Sequence, residues 1–66
     1  MARMDADKPL SLDERKAVFL ALVEAQDAAM TVAQSRKTVA ERFGLGEGQV
    51  RRIEREGLDG GWPPLG

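Results

Sequence analysis

Between residues 47 and 55 the chain reads Glu47, Gly48, Gln49, Val50, Arg51, Arg52, Ile53, Glu54, Arg55. A guanidinium is planar and always charged, and its fork of donors matches paired acceptors such as phosphate oxygens or the O6 and N7 edge of guanine. Gln49 carries the donor and acceptor that complement adenine, and Glu47 can accept from cytosine N4. On a helix, Val50 and Ile53 form an inward pair, which turns Gly48, Arg51, Arg52 and Arg55 outward. Arg52 and Arg55, one turn apart, are the best placed for base edges. Upstream, Arg36 and Lys37 suit contacts to a phosphate backbone, which fix register without reading sequence. Gly48 has no Cβ, which either admits a phosphate or sugar close to the backbone or marks a place where no large side chain is wanted. The chemistry such a face could do is recognition of double-stranded DNA; the alternative is a solvated surface on which Arg52 attracts Glu56 and Arg51 repels Arg55 at i, i+4 spacing.

Other chemistry has little to work with. The chain has no His and no Cys, which removes the usual nucleophile–base pairs, zinc sites and disulfides. Nor is there a run of carboxylates that reads as a shared acid–base pocket. We expect no enzyme and no cofactor. The segment "GLGEG" lacks the G-x-G-x-x-G spacing and follows a helical pattern rather than a strand, so it is not read as a nucleotide-phosphate loop.

The net charge of −1 argues against a strongly basic binder, but the charge is unevenly spread. Residues 1–35 hold four basic and six acidic side chains. Residues 36–55 hold six basic and three acidic ones, a local surplus of three positive charges. At 66 residues the chain makes one small domain. A domain of that size buries only about 60% of its unfolded surface, which favours help from a partner. The polar start "MARMDADKPL" has no signal-peptide core, and "AVFLALV" is too short to span a bilayer. A cytoplasmic location is expected, with no membrane association.

The elements that must position these residues are helices. Residues 1–9 read as a disordered arm ending in Pro9. Ser11 and Glu14 have capping-box spacing, so a first helix is expected from about Leu12 to about Ala29. Leu10 before the cap can staple only on the aliphatic stem of Arg15. Leu12, Phe19, Leu22, Val23 and Met30 mark its apolar stripe, widened by Val18, Leu20, Ala21, Ala25 and Ala28. Such a wide stripe fits a helix packed between two others. It also offers Val18, Leu20 and Leu22 as contacts to a second copy or another partner. Thr31 and Ser35 both qualify as the next N-cap. The apolar pattern resumes only at Val39, which favours Ser35 and a second helix over about 36–43. The third helix is expected from about Glu47 to Leu58, with Gly46 as a weak N-cap and Gly57 ending it. The tail "GGWPPLG", residues 59–66 with Asp59, reads as extended. In it Trp62 either folds back on the core or serves as a recognition peptide.

The second and third helices meet at a corner. Ala40 is small where the helices cross, Gly44 supplies positive φ four residues later, and Leu45 plugs the gap. Val39, Phe43, Val50 and Ile53 complete the apolar set. "VAERFGLGEGQVRRIE" thereby resembles a bacterial helix-turn-helix, and is most similar to the C-terminal DNA-binding region of primary sigma factors. The matching positions are Val39, Ala40, Phe43, Leu45, Val50, Arg51, Ile53, Glu54, Gly57 and Leu58. Glu47 and Gly48 stand where that pattern usually carries long polar residues. The resemblance implies an all-α, three-helix domain over residues 10–58 that regulates transcription by binding DNA, as a homodimer or with a larger transcription partner. The alternative is an adaptor that binds other proteins through helix 12–29 or the Trp62 tail.

Overall fold

The computed structural model describes residues 8–65. Three helices, α1 (Leu12–Asp27), α2 (Val32–Phe43) and α3 (Glu47–Gly60), each pack on the other two, and no strand occurs among the described residues. The architecture is the expected all-α three-helix domain. Of the expected arm, residues 1–7 lie outside the described residues, whereas Lys8 and Pro9 lie against the domain.

α1 begins as its sequence predicts. The Glu14 N–H donates to Ser11 Oγ at 3.1 Å, and the Ser11 N–H donates to Glu14 Oε1 at 2.8 Å. The bond from the Ser11 backbone holds the Glu14 carboxyl below its ordinary range, with Lys8 adding a smaller push the same way. In place of an apolar staple, Arg15 Nη1 donates to the Leu10 carbonyl at 2.8 Å, and its Nε lies 3.1 Å from Glu56 on α3. The helix stops two residues short of the expected end. Ala29 takes a left-handed conformation, φ 72°, and the Met30 N–H reaches back to the Ala25 carbonyl at 3.2 Å.

α2 corrects the expected boundary. Its N-cap is Thr31, not Ser35, and it starts at Val32. Thr31 and Gln34 exchange bonds of 3.1 Å each way, the same box that Ser11 and Glu14 make. Ser35 is fully buried in the second turn. Its hydroxyl donates to the Val32 carbonyl at 2.7 Å and accepts from Gln26 Nε2 at 3.2 Å. A serine with both partners supplied inside the fold has no need to cap a helix.

The corner forms as expected. Gly44 ends α2 at φ 68°, ψ 38°, and the Leu45 N–H donates to the Ala40 carbonyl at 2.8 Å. Leu45 is half-buried and packs on the core of Val18, Phe19, Ala21, Leu22, Val39, Ala40, Val50 and Ile53. α3 ends by the same device, at Gly61 (φ 62°), with the Trp62 N–H bonded to the Gly57 carbonyl at 3.0 Å.

Gly57 therefore does not end α3, which runs on to Gly60. Its role is steric: a Cβ there would overlap Cδ1 of Phe19 and lie 2.6 Å from its Cγ and Cε1. The tail is not extended at its described residues. Trp62 meets Phe19 edge to face, with ring centroids 6.0 Å apart, and the Leu65 N–H donates to the Trp62 carbonyl at 2.8 Å to close a turn. Burying one large ring on a small core draws the tail back over it.

Candidate nucleic-acid interface

The geometry of α3 follows from the corner and from its apolar spacing. Val50 and Ile53 are buried, and Gly57 lets α3 close on Phe19. At 100° per residue this leaves Gly48, Arg51, Arg52 and Arg55 exposed, together with Glu47. The face borders a shallow groove whose walls also include Val32 on α2 and Leu58 on α3. Leu58 is 58% exposed, so this apolar residue lies beside the arginines and not in the core. Arg55 Nε stands 3.9 Å from Asp59, an exposed i, i+4 pair of little strength. The first turn of α3 has Gly46 at its N-cap and no side-chain cap, and nothing lies within 4 Å of where a Gly46 Cβ would be.

Two of the expected contacts are committed elsewhere. Gln49 is buried, 8% exposed, and its carboxamide pairs with the backbone of Lys8: the Lys8 N–H donates to Oε1 at 3.0 Å and Nε2 donates to the Lys8 carbonyl at 2.7 Å. It is not presented to a base. Helical angle places Gln49 between the inner and outer faces, and the chain ahead of α1 covers it. Arg36 turns inward, with Nε and Nη2 donating to Glu54 Oε1 at 3.0 and 2.8 Å. Glu54 also accepts from Gln26 Nε2 at 3.4 Å, so one carboxylate joins all three helices. A charged group this covered needs its partner, and Arg36 is that partner rather than a phosphate contact. Lys37 remains exposed on α2. Arg42 lies over the Phe43 ring, 5.5 Å from its centroid.

The expected partner surface on α1 largely disappears into the core. Val18 and Leu22 are each 1% exposed, because α1 is covered by both other helices. Leu20 alone of the three stays out, at 42%. Trp62 packs on Phe19, as the folded-back alternative requires. Sequence reasoning missed Lys8; its only local signal is the proline that follows, which biases the preceding residue toward an extended backbone. No helix among the described residues is long and apolar enough to cross a membrane. Comparison with known proteins finds no family model, no curated protein and no solved structure that matches the chain.

Proposed function

We propose that this chain binds double-stranded DNA and regulates transcription, with α3 as the recognition helix of a helix-turn-helix. The observation that carries the reading is the split of α3 into two faces. Val50, Ile53 and Gly57 serve the core, while Arg51, Arg52 and Arg55 project from the opposite side around a glycine. Core packing explains the first set and gives no reason for the second. Two guanidinium groups one turn apart can take guanine edges in a major groove, and the uncapped first turn of α3 leaves backbone N–H groups for phosphate. Lys37 lies exposed on the preceding helix and is proposed as a contact to a strand backbone. Three arginines against Glu47 and Asp59 make a modest field, so a single copy binds weakly and with steep salt dependence. Pairing of two copies on adjacent half-sites, or with a larger transcription partner, is part of the proposal. Leu20 is the exposed apolar side chain left on α1 for such a contact from the set expected there.

The test is selection of bound duplexes from a random pool, followed by fluorescence anisotropy on the enriched sequence. Arg52→Ala and Arg55→Ala are each expected to weaken binding about tenfold or more and to relax sequence preference at one position. Wild-type affinity in both variants would remove α3 as the reading element. Enrichment of a symmetric site with half-sites about 10 base pairs apart would show paired copies.

A further inference from the structure

We propose that Lys8 is a phosphate contact held in place by the side chain of Gln49; the inference rests on the DNA-binding reading above. Gln49 is the third residue of α3. At the same position α1 and α2 carry Glu14 and Gln34, which reach back to their own N-caps. Gly46 has no side chain, so the reciprocal box cannot form on α3. The Gln49 carboxamide turns to the segment ahead of α1 instead. It accepts from the Lys8 N–H and donates to the Lys8 carbonyl, at 3.0 and 2.7 Å. Facing residues of antiparallel strands exchange two bonds in this way, with the carboxamide here standing in for one peptide. The exchange needs the N–H and carbonyl of Lys8 on one side, an extended residue, and Pro9 disfavours the helical alternative.

The consequence is a lysine whose backbone is fixed by bonds that do not involve its ammonium. The residue remains exposed, and its Nζ stands 3.4 Å from where a Cβ on Gly44 would sit. A positive charge is thereby set at the corner through which the chain enters α3. Strand backbones flank a helix that lies in a major groove, and a cation at the entry corner is placed for one of them. Glu14 is near enough to feel that charge, but its Oε1 already accepts from the Ser11 N–H at 2.8 Å. Glutamine is the side chain this arrangement requires. Glutamate would set an oxygen against the Lys8 carbonyl, and leucine would supply neither bond.

The experiment measures duplex binding by the full chain across a salt series, for the wild type, Lys8→Gln, Lys8→Arg, Gln49→Leu and the Lys8→Gln/Gln49→Leu pair. Lys8→Gln is expected to lower the slope of log affinity against log salt by about 1, equally on all sequences, and Lys8→Arg to retain it. Gln49→Leu reproduces most of that loss, and the pair is no worse than Lys8→Gln alone. Thermal unfolding of Lys8→Gln matches the wild type, because both backbone bonds survive. Should Gln49→Leu fail to fold, Lys8→Gln carries the decision alone. A wild-type slope in Lys8→Gln, in a protein that does respond to Arg52→Ala, overturns the Lys8 contact and leaves the recognition helix standing. Additive losses in the pair overturn the positioning by Gln49. A wild type that binds no duplex overturns both proposals.

Discussion

Gly57 and Gly48 lie on the same helix, on opposite faces, and the two explain themselves differently. At Gly57 the Phe19 ring occupies the place of a side chain, so the fold itself excludes anything larger. At Gly48 the nearest atom to an added Cβ is Arg52 Nη1, at 3.8 Å, an ordinary contact with the end of a flexible chain. The fold has room there and still carries the residue that costs a helix about 0.5–1 kcal/mol relative to alanine. A glycine that packing demands says how the domain closes. One that packing does not demand, among exposed arginines, is not required by the fold and fits the close approach of the proposed duplex.

The contrast can be broken most sharply at Gly57. Gly57→Ala should destabilise the domain by about 3 kcal/mol despite alanine's better helix propensity, because the Phe19 ring cannot retreat from a filled core. Chemical denaturation measures it; a neutral or stabilising result would mean the ring has somewhere to go. Ala29 sharpens the comparison from the other side, since it occupies a left-handed position without being glycine. Ala29→Gly should stabilise by about 1 kcal/mol, a rise of roughly 4–8 °C in Tm for a domain of this size. At Gly48, alanine should stabilise by about 0.5 kcal/mol while weakening duplex binding, so that stability and affinity move in opposite directions. If both rise together, no close approach occurs at that position.

The smallest effect is electrostatic and sits at the start of α1. The Glu14 carboxyl is lowered by its bond from the Ser11 backbone, so the folded state holds its proton less tightly than the unfolded chain. Its contribution is present above the unfolded pKa and is lost as pH falls through the lower folded value. Thermal midpoints followed from neutral to acidic pH should show a slightly shallower fall in Glu14→Gln than in the wild type.

Much of the frame was legible from local chemistry. The Ser11 box, the Ala40–Gly44–Leu45 corner and the inward pair Val50 and Ile53 depend on neighbours a few residues away, and each sits where spacing predicts. The errors have one physical source. Ser35 looks like a cap in sequence, but Gln26, nine residues upstream on another helix, gives its hydroxyl a buried partner. Gly57 looks like a stop, but it makes room for a ring on α1. Gln49 and Arg36 look like outward contacts, but their partners, Lys8 and Glu54, lie 41 and 18 residues away.

By itself the sequence determined three helices, their apolar faces and the left-handed corner, because helix periodicity, capping and glycine geometry act over a few residues. Tertiary structure alone decided which polar side chains remain for a partner. A side chain's availability depends on what the rest of the chain brings against it, and in a 66-residue domain almost every polar group near a helix junction is within reach of another element. Among the described residues Arg51, Arg52 and Arg55 stay exposed because Val50, Ile53 and Gly57 turn the opposite side of α3 to the core, while Arg36 and Gln49 meet Glu54 and Lys8 in contacts that only the folded chain creates.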